Sequence, residues 1–214
     1  MDRNSLSKKA YDLIRAEILT CGLAPGQQVA QAQLVEKFGL SLTPVREALQ
    51  RLAHEGLVRP YPRFGYVVSP VNAEAVRDLF EYRAILETAA VRLAVERASA
   101  AQLAQLVENA RFKYVYKVRE EYSRFLERNA AFHNAIARLA GNAHLVESLA
   151  SLLDELTRVF HLGLDLRDSA AEMEAEHLAL AEALLARDAV RAEQVVRDQI
   201  AHSQQRVLEA LRSG

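Results

Sequence analysis

Residues 23–58, LAPGQQVAQAQLVEKFGLSLTPVREALQRLAHEGLV, determine the fold of the N-terminal part of this chain. Early in the segment, apolar residues at helical spacing lead to a helix-ending glycine: Val29, Leu34, Val35, Phe38 and Gly39. A new helix is expected to begin at Thr43, with Pro44 in its first turn, where a missing amide hydrogen is harmless. The segment therefore predicts a helix, a tight turn and a second helix.

The second of these helices has an apolar face and a polar face. Val45, Leu49 and Leu52 repeat toward a core, which leaves four polar residues on the outer side: Thr43, Arg46, Gln50 and Arg51. A recognition helix contacts base edges with its N-terminal residues, and arginine can donate two hydrogen bonds to guanine. We therefore expect Arg46 to read a base directly. The alternative is an ordinary solvated helix face.

A basic turn between two runs of strand-forming residues follows this helix. The strand formers are Leu57, Val58, Tyr66, Val67 and Val68, and the turn contains Pro60, Pro62, Arg63 and Gly65. This pattern predicts a β-hairpin, or wing, whose tip touches backbone phosphate. Arg63 and Gly65 join the expected DNA-binding residues.

These motifs resemble the winged-helix signature of the GntR superfamily of bacterial transcription factors, specifically its FadR-like branch. The similarity is carried by LAPGQ, by residues 34–58 and by RFGYVV at residues 63–68. Family members usually have an arginine that contacts DNA between the equivalents of Ser41 and Thr43, whereas this chain has Leu42. The resemblance implies either an unusual operator or phosphate contacts from other residues.

Charge is distributed unevenly along the 214 residues. Residues 1–72 contain nine Lys and Arg against six Asp and Glu, a net charge of +3, and the remainder contains 18 against 22, a net charge of −4. Only the N-terminal part therefore suits double-stranded DNA. Because +3 is a small excess, we expect a homodimer on an inverted-repeat operator.

The overall expectation is a mainly α fold with two domains. Residues 1–71 form the winged helix-turn-helix, and residues 72–214 form an all-α antiparallel bundle of five or six amphipathic helices without proline after Pro70. Helix breaks are expected near Ser99, at 113–118, at 141–142, at 163–169 and at 187–188.

Polar residues recur on the expected inward faces of these helices. Arg83 and Glu87 share a stripe with apolar neighbours, and later helices add Asn129, His133, His177, Gln199 and His202. Four helices thus direct polar groups at one cavity, which is how bundles build ligand or metal sites. The alternative is that Arg83 and Glu87 form a surface pair and that each histidine is a satisfied core residue.

The C-terminal half also resembles the FCD effector domain, through YRAILETAAVRLA, NAAFHNAIARLAGN, EHLALAEALLARDAVRA and VVRDQI. Many such domains bind a divalent metal through an aspartate, a histidine four residues later and two further histidines. The matching residues here are Asn129, His133, His177 and Gln199. Two of the four are neutral amides, which are weaker ligands.

This resemblance leaves two alternatives for the cluster. One is zinc or nickel held by Asn129, His133 and His177, together with Gln199 or His202. The other is an organic acid bound by Arg83, Glu87, Asn129, His133, His177 and Gln199. Arg138 or Arg158 would add to the second site if they turn inward.

The function expected from these features is a ligand-responsive transcriptional regulator, without enzyme activity, that a small carboxylate effector releases from DNA. The alternative is a metal-dependent hydrolase, with His133 and His177 on the metal and Glu174 or Glu176 as the base. The sequence contains no HExxH or GxSxG motif, which disfavours that alternative. No apolar run approaches the roughly 20 residues that cross a bilayer, and MDRNSLSKKA lacks a signal peptide's apolar region, so we expect a cytoplasmic protein without a membrane partner.

Overall fold

The chain divides into two units between Val71 and Asn72. The computed structural model describes residues 3–63, 65–164 and 166–213. Phe64, within the RFGYVV segment, therefore lies outside the described residues. Within the described ranges, no helix is both long enough and apolar enough to cross a membrane.

The first unit confirms the predicted winged helix-turn-helix. Its elements are α1 (Arg3–Leu19), β1 (Gln28–Val29), α2 (Gln31–Phe38), α3 (Leu42–His54), β2 (Val58–Tyr61) and β3 (Gly65–Val68). Gly39 ends α2 in the left-handed region, with φ at 62°, which glycine adopts without steric penalty. β2 and β3 pair as the antiparallel hairpin of the wing.

The sheet contains a third strand that the sequence pattern does not reveal. Its order is β1-β3-β2, and Val29 of β1 lies opposite Tyr66 of β3. The expectation that Val29 belongs to a helical stripe is therefore wrong. Gly26, with φ at +80°, turns the chain before β1 and donates its amide to the Val68 carbonyl at 2.9 Å. Pairing with β3 thus overrides the local spacing.

Helix α1 was also not predicted from the sequence, although the spacing of its apolar residues indicates a helix. Ala10, Ile14 and Ile18 are four residues apart and fully buried. They pack in the core of the first unit, and α1 lies against α3. Each buried isoleucine contributes roughly 1.5–3 kcal/mol.

The second unit confirms the predicted all-α bundle. Its helices are α4 (Ala73–Arg97), α5 (Ala100–Asn109), α6 (Arg119–Leu139), α7 (Ala143–Leu164), α8 (Ala170–Leu185) and α9 (Ala189–Ser213). α4 contacts α6, α7, α8 and α9, so it is the helix around which the bundle is arranged. The helices end near the predicted breaks, although α5 ends at Asn109, four residues before the break expected at 113–118.

Gly163, the first residue of the break expected at 163–169, lies in the last turn of α7, which ends at Leu164. It is buried, and a Cβ atom there would lie 3.2 Å from Val207 Cγ2 of α9. The glycine therefore permits close approach of two helices.

The connection between α5 and α6 folds into the unit rather than forming a simple break. Phe112 and Tyr114 are only 2% and 3% exposed. The Ser169 amide donates to Tyr114 Oη at 3.1 Å, which ties this connection to the start of α8. As a result, the ring of Phe112 reaches the interior polar cluster.

Candidate functional site

Helix α3 exposes one stripe of residues four apart: Leu42, Arg46 and Gln50. Thr43 lies beside them and is half-buried. The predicted separation of α3 into an inner and an outer face is therefore present. Leu42, at the first helical position, exposes 53% of its surface, which is unusual for a large apolar residue.

Arg51 lies on a different side of α3 from Arg46. At about 100° per residue the two side chains point about 140° apart. The Arg51 guanidinium stacks over the ring of Tyr11 in α1, 3.9 Å from its centroid, and Arg51 Nε donates to Glu55 Oε1 at 3.1 Å. Arg51 is exposed, as expected of the outer side of α3, but its side chain contacts Tyr11 and Glu55 rather than lying beside Arg46.

At the wing tip, Arg63 is exposed and has φ at 69°, a strained value for a residue with a side chain. Gly65 has φ at +99°, and a Cβ atom there would lie 2.8 Å from the Val29 carbonyl oxygen. The close approach of β1 therefore explains why position 65 is a glycine. It gives no reason for an arginine at position 63.

A buried polar cluster lies inside the second unit and draws on four helices. It contains the six residues that the sequence nominates as effector-binding: Arg83 and Glu87 of α4, Asn129 and His133 of α6, His177 of α8, and Gln199 of α9. None of them is more than 5% exposed. Arg83 and Glu87, each 2% exposed, are therefore not a surface pair.

Glu87 is at the centre of an ion-pair network. Its Oε1 accepts a hydrogen bond from Arg83 Nε at 2.5 Å, and its Oε2 lies 2.6 Å from His133 Nδ1. Burial by itself raises the pKa of the Glu87 carboxyl, but the charges of Arg83 and His133 outweigh burial and lower the pKa to about 2. The carboxylate therefore stays ionised at neutral pH.

His177 is enclosed by aromatic rings. Its Nε2 lies 2.9 Å from Asn129 Oδ1, and its ring centroid lies 4.6 Å from that of Phe112 and 5.2 Å from that of Phe132. Burial, together with the electrostatic influence of the neighbouring His133 and Arg83, holds the pKa of His177 well below its ordinary 6.5. The imidazole is therefore neutral at neutral pH.

A small cavity adjoins this cluster. Its polar lining comes from Arg83, Asn129, Glu176, Gln199, Ser203 and Arg206. It leaves about 10 Å³ for the centre of a water-sized sphere, which is roughly the room that one water molecule needs. Any larger ligand must therefore open it.

Among these lining residues, Ser203 and Arg206 were missed by the sequence prediction, and Glu176 was nominated only as a base in the hydrolase alternative. A signal existed for the two missed residues, because Gln199, Ser203 and Arg206 lie four and three residues apart on α9. Arg206 is a long charged residue and would ordinarily be assigned to the surface, yet it is only 4% exposed.

Other nominated residues do not join the cluster. His202 has a side chain that is 53% exposed and lies 2.7 Å from Glu176 Oε1 through its Nδ1 atom. His202 therefore does not take the place of Gln199 in the interior, contrary to that alternative. Arg138 is exposed, and Arg158 is half-buried and outside the cavity lining.

Comparison with known proteins identifies the family of this chain. Residues 6–68 match the bacterial regulatory proteins of the gntR family, and residues 78–202 match the FCD domain. A transcriptional regulator of the HTH type in an unstable DNA locus of Streptomyces ambofaciens is 32% identical over 189 residues, which cover 85% of this chain and 78% of that protein. The chain belongs to the GntR family.

Other relatives of this GntR-family regulator agree in function class and fold. The HTH-type transcriptional repressor RspR of Escherichia coli K12 is 26% identical over 183 residues, which cover 86% of this chain and 80% of RspR. The solved structure of E. coli McbR/YncC superposes with a TM-score of 0.69 at 24% identity and covers 100% of this chain and 99% of that one, which supports the fold. The family consists of DNA-binding regulators rather than enzymes, and the hydrolase alternative gains no support.

The interior of this GntR-family regulator does not fit a divalent metal as its side chains lie. The rings of His133 and His177 are 5.5 Å apart, but His133 Nδ1 faces Glu87 and His133 Nε2 lies 3.4 Å from Arg83 Nη2. The Arg83 guanidinium thus places a positive charge beside the imidazole nitrogen that a metal would need. Nε2 of His177 already faces Asn129.

A different set of donors comes close enough to share one ion. Within the described part of the chain, the one group of three such His, Cys, Asp or Glu side chains is Glu172, Glu176 and His202. None of them is among the family's metal positions, so His202 belongs to another cluster than His133 and His177.

Proposed function

We propose that this DNA-binding transcriptional regulator is a ligand-responsive repressor, which a small carboxylate effector releases from its operator. The observation that carries the proposal is the buried polar cluster and its adjoining cavity, into which Arg83 and Arg206 both project. Arg83 is paired with Glu87, whereas the terminal nitrogens of the buried Arg206 have no hydrogen-bonded anion among the described residues, and the planar guanidinium matches a carboxylate. The relative RspR is named a transcriptional repressor, which supports repression rather than activation.

The proposal assigns the effector role to the cluster without zinc or nickel. Arg83 supplies, next to His133, the positive charge that a metal ion would otherwise bring. Asn129 and Gln199 then serve as hydrogen-bonding groups for the effector, a task for which neutral amides are well suited. His177 positions Asn129, whose Oδ1 lies 2.9 Å from His177 Nε2, and His133 positions Glu87.

Helix α4 offers a route from the effector to DNA binding. It begins at Ala73, directly after the boundary between the units, and it carries Arg83 and Glu87. An effector that repositions Arg83 therefore acts on the helix that continues the chain from the DNA-binding unit. It changes DNA affinity only to the extent that it binds one arrangement of the units better than the other.

At the DNA, we assign base readout to Arg46 and Gln50, with Thr43 beside them, and phosphate contact to Arg63. The net charge of +3 on residues 1–72 is small for a protein that binds DNA alone. We therefore propose a cytoplasmic homodimer that places two α3 helices on an inverted repeat.

The experiment begins with selection of an operator from random duplex DNA by the full-length protein. Light scattering gives the stoichiometry, and fluorescence anisotropy gives the ratio of specific to random affinity. The selected operator is then titrated in the presence of mono- and dicarboxylic acids. At least one acid is expected to weaken operator binding tenfold or more, while random-DNA binding changes little.

Two variants separate the parts of this proposal. Arg46→Ala is expected to weaken operator binding but to keep the stabilisation that the acid gives against thermal unfolding. Gln199→Ala is expected to keep operator binding but to lose the response to the acid. If no acid alters operator affinity, or if both variants lose both properties together, the effector assignment is wrong.

A further inference from the structure

Arg206 of α9 has the least satisfied charged side chain around the cavity. It is 5% exposed, and neither of its terminal nitrogens has a hydrogen-bond partner among the described residues. The nearest anions are Glu172 Oε1, 3.6 Å from Nη1, and Glu176 Oε2, 3.6 Å from Nη2. A charge-assisted hydrogen bond is about 2.7–2.9 Å long, so these pairs leave the guanidinium donors unused.

Acceptors on the same cavity are also unused. Glu176 Oε2 and Gln199 Oε1 are buried, and no hydrogen-bond donor reaches them within the described ranges. The other oxygen of Glu176 contacts His202 at 2.7 Å, which leaves Oε2 for the cavity. Buried polar groups nearly always find partners, so a set of two donors and two acceptors that face one space calls for a ligand.

The polarity of this set restricts the ligand. A simple carboxylate would satisfy Arg206 but leave Glu176 and Gln199 without donors. A simple amine would do the reverse. Glu172 also pairs with Arg167 at 2.9 Å, so Arg206, Arg167 and the carboxylates of Glu172 and Glu176 together carry no net charge, which agrees with a ligand without net charge. A molecule with both a carboxylate and an ammonium group satisfies both requirements.

The remaining lining sets the size and nature of the ligand's side chain. Leu126, Phe160 and Met173 close the cavity with apolar surface. The space is no larger than one water molecule needs, so the ligand is small and must displace flexible side chains. Met173 is suited to this because the unbranched methionine side chain adapts to new shapes.

We propose that the cavity binds a small α-amino acid with a short apolar side chain, with its carboxylate on Arg206 and its ammonium group between Glu176 and Gln199. This proposal rests on the proposed function in one respect, since it takes the cavity as the effector site. It adds a ligand class to that site and assigns Arg206 and Glu176 to the two charged groups of the ligand.

The test uses full-length protein and matched sets of small molecules. The twenty standard amino acids are screened by thermal stabilisation and then by calorimetry. Each amino acid that binds is compared with the acid that lacks its amino group, with the 2-hydroxy acid of the same carbon skeleton, and with the corresponding amine. We expect one amino acid to bind at least about 100-fold more tightly than its three analogues. Equal binding of the 2-hydroxy acid or of the simple acid would overturn the ammonium contact.

Variants locate the binding groups. Arg206→Met is expected to abolish amino-acid binding, and Glu176→Gln is expected to narrow the preference over the hydroxy acid to less than tenfold. Arg197→Met, at an exposed arginine on the same helix, is the matched control and is expected to leave binding unchanged. Circular dichroism and operator affinity report whether each variant is folded. Undiminished binding by folded Arg206→Met would refute the assignment.

The outcomes also separate this inference from the proposed function. If a simple acid releases the operator and Arg206→Met responds normally, the amino-acid assignment fails while the repressor proposal stands. If an amino acid binds through Arg206 without changing operator affinity, the site is correct and the repressor proposal fails. If no amino acid binds, the amino-acid assignment is refuted, and the titration of the operator complex with mono- and dicarboxylic acids decides the repressor proposal.

Discussion

Two ion pairs on α4 have the same spacing but opposite environments. Arg83 and Glu87 are four residues apart, and so are Arg92 and Glu96. The side chains of the first pair are 2% and 3% exposed and 2.5 Å apart, whereas those of the second pair are 69% and 58% exposed and 4.0 Å apart. Only the first pair points into the bundle that surrounds α4.

This difference shows why an ion pair at helical spacing has no fixed meaning in a sequence. A surface pair is screened by water and contributes about 0–1 kcal/mol. A buried pair carries a large desolvation cost, which must be offset by close hydrogen bonds and further partners. Glu87 has such partners in Arg83 and His133, and it keeps its charge where burial alone would neutralise it.

The largest expected effect comes from breaking the buried pair on one side. Arg83→Met should lower the free energy of unfolding by about 3–5 kcal/mol, because it leaves the Glu87 carboxylate buried without its main partner. Arg92→Met, the matched exposed change, should alter it by less than about 0.5 kcal/mol. Urea unfolding followed by circular dichroism measures both. Equal effects of the two changes would show that the buried pair has no special role in the second unit.

Acid unfolding distinguishes the two glutamates. The pKa of Glu87 is lowered from the model-peptide value of 4.5 to about 2, so the unfolded chain takes up its proton first as pH falls. The resulting stability is fully present above pH 4.5 and is lost as pH falls toward 2, a total of about 3 kcal/mol. Glu87→Gln should therefore reduce the change in the free energy of unfolding between pH 4.5 and pH 2.

Glu96→Gln, which changes the exposed pair, is the control for this measurement. Its free energy of unfolding should vary with pH with the same slope as that of the wild type. Urea unfolding at half-unit steps from pH 5 downward provides the comparison. A wild-type slope that persists in Glu87→Gln would show that other carboxyl groups cause the acid sensitivity.

A second matched pair, on α3, tests the DNA face at smaller magnitude. Arg46→Ala should weaken binding to the selected operator by about 1–3 kcal/mol and relax one base position, because a bidentate base contact is lost. Arg51→Ala should leave base preference intact and instead lower stability by about 0.5–1 kcal/mol through the lost stacking on Tyr11. Competition binding with single-base operator variants measures the preference. A relaxed position in Arg51→Ala rather than in Arg46→Ala would reverse the assignment of the two faces.

The smallest expected effect concerns Leu42, one turn before Arg46 on the exposed stripe. Its exposed side chain suits apolar contact with a thymine methyl group in the major groove. Replacement of that thymine by uracil should cost the wild type about 1 kcal/mol, the typical contribution of one buried methyl group. Leu42→Ala should show no further loss on the same replacement. If every uracil substitution is neutral for the wild type, Leu42 makes no such contact.

Helical periodicity was sufficient for much of this protein. The apolar stripes predicted the two helices of the helix-turn-helix, a bundle of five or six helices and the inward orientation of Arg83, Glu87, Asn129, His133, His177 and Gln199. Such predictions work because each helix buries one side against its unit, so spacing along the chain reports orientation around the helix axis. Positions 42, 46 and 50 share a face of α3 for the same reason.

Tertiary structure decided which groups each of these residues contacts. Val29 lies in a strand because the backbone of β1 pairs with β3. The Arg51 side chain contacts Tyr11 because α1 packs beside α3. Phe112 contacts His177 from a connection that the sequence pattern indicated only as a break, and the buried Arg206 side chain lies against Glu172 and Glu176 of α8. Periodicity describes one helix at a time, whereas burial, pairing and pKa depend on neighbours that are far away in the chain. The sequence therefore determined the helices and their faces, and only their packing determined the polar cluster and its unsatisfied groups.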